Sequence, residues 1–355
     1  MNVSSEHAAP AKERLRFTGS GSEYFRVWVV NVALTVVTLG LYAAWAKVRT
    51  RRYFYRNTLL AGQPFEYLAD PWALLRGNLI VAGAFVAYTL TQQWKPLLAG
   101  FVGTLGYALL PYLVWKSLRF HAHNSSHRNL RFRFRGTLGE SYRVWLLLPS
   151  LIPLTLGLLL PYWHFRRKKF TVDNFTYGKT YFYFDGAPRA FYGVYLRAGL
   201  LALGLPVLAG TVVVLYALLL RAAPQDPTAA PPAWFIGAAV VAWAGGALLV
   251  ALIQQVLVAG ITNYTWRYTR AGPLRFESAL AVWPLFWIAV TNTAATVATL
   301  GLLYPWAKVR RTRYLLQSLT VISAEALDGF AAASEPEPSA LGDAAVDFLD
   351  FEIGL

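Results

Sequence analysis

The sequence lacks cysteine and carries little charge, and both absences limit what the protein can be. Without cysteine, no disulfide framework, zinc–thiolate site or cysteine nucleophile is possible. Only 14% of the residues are charged, whereas soluble domains carry about 25%. No Ser/His/Asp or paired-carboxylate constellation is found, and long uncharged stretches leave no residue for a buried proton relay. We therefore expect no catalytic residues, no cofactor and no enzymatic activity.

Apolar residues make up 56% of the chain and are concentrated in seven stretches without a charged residue. A membrane-spanning helix needs about 20 such residues, and its backbone groups must be hydrogen-bonded within the segment. The composition therefore predicts an all-α, multi-pass membrane protein. The seven segments are residues 27–46, 77–94, 96–115, 144–163, 198–220, 233–262 and 280–306.

The chain also contains an internal repeat. Residues 17–57 align without a gap on residues 134–174, and 13 of these 41 positions are identical. A third copy lies 261 residues after the first, where 17 of the 29 positions in 25–53 recur. Identity of this kind indicates duplication. We assign a first unit to residues 15–133, a second to 134–276 and a truncated third to 277–322.

Both ends are predicted to lie outside these units. Residues 1–14 are polar, which predicts a disordered N-terminus without a cleavable signal peptide. Residues 323–355 are predicted to form a mostly disordered acidic tail, because Glu325 to Leu355 holds eight acidic residues and no basic one. Such a tail is a possible contact for a protein partner.

A shorter pattern follows four of the apolar segments. Asn57 is followed by Phe65 and Tyr67 at +8 and +10, and aromatic residues recur at the same spacing after Asn124 and Asn174. A looser copy begins at Asn263. Alternation with a period of two is typical of strands. We therefore expect small β-hairpins at the cytoplasmic surface of an otherwise helical protein.

Motifs of the first unit resemble a known family. They are Phe17–Phe25 (FTGSGSEYF), Val30-Asn31, Thr38–Tyr42 (TLGLY), Trp45-Ala46, Arg52–Tyr55 (RYFY) and Asn57. In these residues the chain is similar to the YjgN-type bacterial inner-membrane proteins, a domain of unknown function, and the resemblance covers nearly all of residues 15–320. It implies a multi-pass protein of the bacterial inner membrane and no particular activity.

The Lys and Arg residues bear on which segments cross the membrane. If all seven cross, 18 Lys and Arg lie in the cytoplasm and 14 outside, which fits the positive-inside rule poorly. If segments one, four and seven are re-entrant, only Lys95 and Arg221 lie outside, and both termini are cytoplasmic. Each segment is nevertheless long enough to span, and lipid-exposed irregular backbone is not tolerated. The charge pattern favours the re-entrant arrangement and leaves the other open.

Two candidate polar stripes recur between the first and third copies. Their residues are spaced like one face of a helix, and such a stripe in lipid must face protein or a water-filled cavity. The stripe either joins helices or contacts a substrate or lipid. Its residues are Asn31, Thr35 and Thr38 in the first copy and Asn292, Thr296 and Thr299 in the third.

Basic clusters follow the three homologous segments. They are typical of topology signals and snorkelling anchors, and they also suit the head groups of anionic phospholipids. The cluster residues are Lys47, Arg49, Arg51, Arg52, Arg166, Arg167, Lys168, Lys169, Lys308, Arg310, Arg311 and Arg313. Because these cations lie beside apolar segments, they indicate a lipid bilayer as partner and not a nucleic acid.

A histidine cluster is the remaining candidate for a metal site. His121, His123 and His127 lie where the resemblance would place Arg and aromatic residues. No acidic residue lies between His121 and Arg135, and several arginines crowd the cluster, so we expect no metal.

Two functions from different classes follow from these patterns. The repeat and the polar stripes favour a transporter or channel-like module for a small solute or lipid. The alternative is a non-enzymatic membrane scaffold that binds anionic phospholipids through its basic clusters and a protein through its acidic tail. The sequence predicts neither a substrate nor an oligomeric state.

Overall fold

The described helices are all attached to one antiparallel sheet. The computed structural model describes residues 11–222 and 233–323. Its strands are β1 (Ala11–Arg14), β2 (Arg16–Phe17), β3 (Thr58–Leu60), β4 (Gln63–Tyr67), β5 (Ser125–His127), β6 (Leu130–Phe134), β7 (Phe175–Tyr177), β8 (Thr180–Phe184), β9 (Thr269–Ala271), β10 (Leu274–Ser278) and β11 (Leu319–Ser323). The hydrogen-bonded order is β1-β11-β10-β9-β8-β7-β6-β5-β4-β3-β2. Its two ends, β1 and β2, are separated in the sequence by Leu15 alone, so the sheet nearly closes into a ring.

This sheet shows that the prediction of an all-α protein with small, separate β-hairpins is wrong. The hairpins exist, but each also pairs with the next. Phe65 of one hairpin lies opposite His127 of another, and Ala11 lies opposite Ser323. An isolated hairpin presents unpaired backbone groups at its edges, and the ring pairs them. Local alternation in the sequence reveals each hairpin, whereas the pairing that joins them links residues far apart in the chain.

Three boundary predictions are also corrected. Residues Ala11–Arg14, which we assigned to a disordered N-terminus, form β1. Ser323, which we assigned to the tail, ends β11 and is buried. The sixth segment, which we bounded at residue 262, continues as a helix to Arg267. Residues 1–10 and the acidic tail from 324 onward lie outside the described residues.

One face of the ring is apolar and closes its middle. Phe65, Phe182 and Phe276 lie on that face and pack in one cluster with Leu15. Phe182 and Phe276 are stacked with ring centroids 5.9 Å apart. The aromatic alternation in the sequence thus places the large side chains inside and leaves charged residues such as Arg275 exposed.

Five helical hairpins extend from the ring in the described chain. The first, third and fifth are short, and the second and fourth are long. The short ones are α1 (Gly21–Val37) with α2 (Ala43–Arg56); α5 (Leu138–Tyr142), a π-helical turn (Arg143–Leu147), α6 (Leu148–Leu151) and a 3₁₀ turn (Pro153–Thr155) with α7 (Leu160–Asp173); and α11 (Val282–Ala298) with α12 (Tyr304–Gln317). The long ones are α3 (Pro71–Trp94) with α4 (Pro96–Asn124), and α8 (Pro188–Ala202) and α9 (Gly204–Ala222) with α10 (Ala233–Arg267).

Length and composition separate the two kinds of hairpin. Four helical stretches of the described chain are long and apolar enough to cross a membrane: Pro71–Gln93, Pro96–Asn124, Pro188–Leu218 and Ala233–Arg267. All four belong to the long hairpins, and little of their surface is buried within the protein. Helices with this much exposed apolar surface are those of an integral membrane protein.

Candidate functional site

Each short hairpin reverses direction at the same four-residue sequence. Thr-Leu-Gly-Leu occupies residues 38–41, 155–158 and 299–302. The first leucine has a positive φ in each copy, of 49° at Leu39, 51° at Leu156 and 50° at Leu300. The following glycine also has a positive φ, of 86° to 92°. Two consecutive residues with positive φ thus turn the chain in each copy, and the second is glycine, the residue type that adopts this conformation without strain.

These three leucines point away from the protein. Their exposed fractions are 95% for Leu39, 94% for Leu156 and 96% for Leu300. A bulky apolar residue in a disfavoured conformation and almost fully exposed contributes nothing to the core of the protein. The hairpin tips therefore present apolar side chains to their surroundings.

The backbone amides of each tip are nevertheless hydrogen-bonded. In the first copy the amides of residues 38–41 and 43 donate to backbone carbonyl oxygens. The amide of residue 42 donates to Thr38 Oγ1 at 2.9 Å, and Thr155 and Thr299 accept the equivalent amides at 3.2 and 3.1 Å. The repeated threonine thus completes a turn whose amides need no water.

The predicted polar stripes lie between the two arms of a hairpin. Asn31 Nδ2 donates to Ala46 O at 3.2 Å, and Asn292 Nδ2 donates to Ala307 O at 2.9 Å. Thr35 donates to the carbonyl of Asn31 in its own helix. Gly301 donates its amide to the carbonyl of Thr296. The asparagines of the stripes therefore join the arms, and in the middle copy Trp163 Nε1 does so by donating to Val144 O at 2.7 Å.

Eleven of the twelve predicted basic residues fall into three groups with different surroundings. Residues of the first group donate hydrogen bonds to backbone carbonyl oxygens at the end of a strand or just after it. Arg52 donates to Ala69 O at 3.0 Å, Lys169 to Phe184 O at 3.0 Å and Arg313 to Gly19 O at 2.8 Å. Sequence reasoning missed that Asn263 does the same for α10, donating to Leu280 O at 2.8 Å. The position of Asn263 in the sequence could have revealed this role, because Arg52, Lys169, Arg313 and Asn263 each lie six residues before the first residue of a strand.

A second group lies on the outer surface of the short hairpins. Arg49, Arg310 and Arg311 are exposed, and Arg166 is half-buried. Arg310 Nη1 donates to Thr291 Oγ1 at 2.8 Å. Arg166 lines a small cavity of about 130 Å³ together with Glu140, Val144, Lys169, Phe170, Asp173 and Asn174. The cavity carries both signs of charge, because Arg166 and Lys169 lie there beside Glu140 and Asp173. Arg167 is set apart from this group, because its guanidinium lies over the rings of Trp145 and Trp163.

A third group, which we call the inner stripe, consists of Lys47 and Arg51 of α2, His164 and Lys168 of α7, and Lys308 and Thr312 of α12. On α7 the other faces are occupied. One packs against α8 and α10, one against α4, and one lines the outer cavity. Phe165 and Val172 lie on the face that packs against α8 and α10, and Trp163 and Phe170 lie on the face that packs against α4. Arg166 and Asp173 line the outer cavity. The remaining face carries Lys168 and His164, and the ring of His164 packs against Phe191 and Tyr195 of α8.

Lys308 and Arg51 have partners on neighbouring elements. Lys308 Nζ of α12 lies 5.2 Å from the ring centroid of Phe54 of α2 and 5.8 Å from that of Tyr24 of α1. Arg51 Nη1 donates to Tyr67 Oη at 2.8 Å and lies 3.1 Å from His121 Nδ1 of α4. Side chains of α12, α2 and α4 thus contact one another in turn.

Burial changes the protonation of the α7 residues. Burial and, to a smaller extent, the neighbouring Arg167 together lower the pKa of Lys168 to about 8. Burial, with Arg167 and Lys168, also lowers the pKa of His164 to about 3. At neutral pH His164 is therefore neutral, and its Nδ1 lies 2.9 Å from Tyr195 Oη.

The three histidines of the predicted cluster have different partners. His121 contacts Arg51, His123 Nε2 lies 2.9 Å from Arg131, and His127 stacks on Phe65. Within the described ranges no group of three His, Cys, Asp or Glu side chains could hold a metal ion.

Comparisons with known proteins connect this architecture to one family. The family model described as "Bacterial protein of unknown function (DUF898)" matches residues 12–348. A protein of Salmonella typhimurium named "Inner membrane protein YjgN" is 35% identical over 147 residues, which are 41% of this chain and 37% of that protein. A protein of the same name from Escherichia coli (strain K12) is 32% identical over 148 residues, 40% of this chain and 36% of that one. The matched part thus spans just over a third of these relatives, and no solved structure matches the chain.

Proposed function

The chain belongs to the DUF898 family of bacterial proteins of unknown function, and we propose that it is an inner-membrane protein that binds anionic phospholipids of the cytoplasmic leaflet. In this proposal the two long hairpins span the bilayer. The three short hairpins are re-entrant, and their outer arginines contact lipid head groups. The observation that carries the proposal is the set of three exposed Thr-Leu-Gly-Leu tips.

The tips support re-entry on energetic grounds. Moving a leucine from water into an apolar environment gains about 1.5–3 kcal/mol. The usual objection to a turn inside lipid is the cost of unpaired backbone groups, which reaches several kcal/mol each. Here the amides of the turn donate to carbonyls or to the threonine hydroxyl. Insertion of a tip into lipid therefore gains the free energy of burying its leucine without leaving a backbone amide of the turn unpaired.

The sheet supports a single face for all hairpin ends. Both ends of every described hairpin continue into strands of the same ring, so a short hairpin that enters lipid must return to the face it left. The positive-inside rule then favours a cytoplasmic ring, because the basic residues of α2, α7 and α12 lie next to it.

The outer arginines suit the head-group region on that face. Arg49, Arg166 and Arg310 occupy equivalent positions in the three copies, on the helix that returns from each tip. Each cation near an anionic surface contributes about 1 kcal/mol of attraction. The polar stripes, in contrast, make hydrogen bonds within the hairpins, which weighs against a solute path along them.

Native mass spectrometry of the purified protein with retained lipids tests lipid binding. We expect phosphatidylglycerol to remain bound in preference to phosphatidylcholine, and the triple variant R49Q/R166Q/R310Q to lose most of it. A matched variant, R14Q/R16Q/R275Q, removes the same charge from exposed strand positions. Equal loss in both variants, or no preference in the wild type, would contradict the proposal.

A further inference from the structure

A row of directly opposed residues crosses five strands on the outer face of the ring, and most of them are basic. Lys12 of β1 lies opposite Ile322 of β11, which lies opposite Arg275 of β10. Arg275 lies opposite Arg270 of β9, and Arg270 lies opposite Tyr183 of β8. Residues directly opposite one another project from the same face of a sheet. The five side chains therefore share the face that is turned away from the apolar middle of the ring.

This face, which we call the basic face, carries more cations than acidic residues. Lys12 lies 4.0 Å from Glu277, and Arg270 lies 3.8 Å from Asp185. All four side chains are mostly exposed, and an ion pair in that setting is weak. The exposed cations of the basic face are Lys12, Arg14, Arg16, Arg270 and Arg275.

Three of these cations have no partner among the residues that the structure describes. Arg14, Arg16 and Arg275 make no hydrogen bond and no ion pair there. Arg275 also lies directly opposite Arg270, and like charges in such a pair destabilise a sheet. An anion bound along the row would remove this repulsion.

The basic face ends at two exposed tyrosines. The exposed fraction is 56% for Tyr183 and 41% for Tyr181, and their ring centroids are 6.5 Å apart. The guanidinium of Arg135 donates to Tyr181 Oη and lies over its ring. Tyr183 presents its ring to solvent, where it suits an aromatic group of a partner. The chemistry of the face thus fits a segment that combines carboxylates with aromatic side chains.

The chain itself continues from this face with such a segment. β11 lies between β1 and β10 and ends at Ser323, directly after Ile322 of the row. Residues 324–355 hold eight acidic residues and no basic one, and they include Phe348 and Phe351.

The reach of this segment does not limit the contact. Strands are about 4.8 Å apart, so a row across five of them is about 20 Å long. About six extended residues span that distance. Attachment to β11 also keeps the acidic residues at a high local concentration beside the basic face.

We propose that residues 324–355 bind across the basic face of their own chain. Carboxylates of the tail pair with Arg14, Arg16 and Arg275, whose planar guanidinium groups suit bidentate hydrogen bonds, and a phenylalanine packs on Tyr183. A single-stranded nucleic acid is a different partner for cations and tyrosines, but it lacks the attachment that favours the tail. The contact does not depend on lipid binding by the short hairpins.

Arginine footprinting tests this contact in the full-length protein. The protein is placed in phosphatidylcholine nanodiscs that each hold one molecule, so only its own tail can reach the basic face. An arginine-specific dicarbonyl reagent is added, and peptide mass spectrometry reports the labelling rate of each arginine. A second sample lacks residues 324–355, and a third has Asn and Gln in place of the eight Asp and Glu of the tail.

We expect Arg270 and Arg275 to label at least about fivefold more slowly in the full-length protein than in either tail variant, the combined effect of several surface ion pairs. The difference should vanish in about 1 M salt, which screens exposed charges. Arg26, which is exposed on α1, should label at one rate in all three samples.

The variant R14Q/R16Q/R275Q separates this proposal from lipid binding. It should keep its phosphatidylglycerol, because the arginines of the short hairpins are unchanged. In the same variant, the tail should no longer slow labelling of Arg270, because three of its partners are gone.

Two results would overturn the proposal. One is an equal labelling rate of Arg275 in all three samples; if added single-stranded RNA then slows labelling, the occupant is a nucleic acid. The other is equal slowing by the native and the neutralised tail, because the tail would then cover the face without its carboxylates binding the arginines.

Discussion

At the scale of single residues, side chains of one type have different tasks according to the helix face they occupy. Lys168 and Lys169 are neighbours, but Lys169 binds Phe184 O and Asp173, whereas Lys168 lies on another face of α7 and makes no hydrogen bond or ion pair with a described residue. The sequence predicts the same lipid contact for both, because it shows a basic cluster and not the direction of each side chain. To assign a role to each cation of such a cluster, one must know how the helix that carries it packs against its neighbours.

Replacing Lys168 with Met should stabilise the protein at neutral pH. The pKa of Lys168 is about 8 in the folded protein and near 10.4 when unfolded, so the unfolded chain binds more protons between these values. Stability from this group therefore rises as pH increases from about 8 to 10, and its penalty is fully present below pH 8. Thermal unfolding at pH 7 and pH 10 should show a gain for K168M mainly at pH 7. The variant K169M should lose stability, and a loss for K168M as well would contradict the assignment.

Replacing the tip threonines with valine should destabilise the hairpins. Thr38→Val keeps the shape but leaves the amide of Tyr42 without its acceptor, at a cost of about 1–3 kcal/mol. Thr104→Val is the matched control, because its hydroxyl only donates to Gly100 O of its own helix. Unfolding of the purified protein in detergent should separate the two variants. Similar stabilities would mean that water can replace the threonine.

At the scale of elements, the sequence indicates some structures and is silent on others. The Phe-x-aromatic alternation predicts strands at Phe65 and Phe132, and strands are found there. The strands β1 and β2 carry no such signal, because they lie in a short polar segment and are held by pairing with β11 and β3. The π-helical turn at Arg143–Leu147 likewise depends on its packing against α4. Local pattern thus predicts elements that are amphipathic by themselves, and it misses those that neighbours create.

The short hairpins give a prediction of their own. If their tips lie in lipid, Leu156→Asp should impair insertion, because a charge in the bilayer core costs about 2.5–3.5 kcal/mol on insertion scales. Leu138→Asp is the control, since Leu138 is also exposed but begins α5 beside the ring. The amount of folded protein recovered from membranes should fall for L156D and stay near the wild-type level for L138D. Equal recovery would indicate that the tips are in water.

At the scale of the whole molecule, the ring explains why two kinds of hairpin coexist in one repeat. Each of the first four helical hairpins is followed by two strands and the fifth by β11, and these strands join β1 and β2 in one sheet whatever the length of the helices. The three copies that the sequence reveals are the three short hairpins. Residues identical between copies lie in the tips and in the helix that follows each tip. The number of Lys and Arg on each side of the membrane distinguishes seven spanning segments from four spanning and three re-entrant ones. It does not reveal the sheet that joins the ends of the segments.

The central claim is that all ends of the short hairpins lie on the cytoplasmic face, and cysteine labelling tests it most directly. The chain has no cysteine, so single cysteines can be placed at Gln63, the exposed first residue of β4, at Lys179, exposed in the turn between β7 and β8, and at Lys95, between the two long helices α3 and α4. Intact cells are treated with an impermeant thiol reagent before and after lysis. We expect K95C to label in intact cells, and Q63C and K179C to label only after lysis. Labelling of K179C but not Q63C in intact cells would place the two hairpins on opposite faces and contradict both the ring and the re-entrant hairpins.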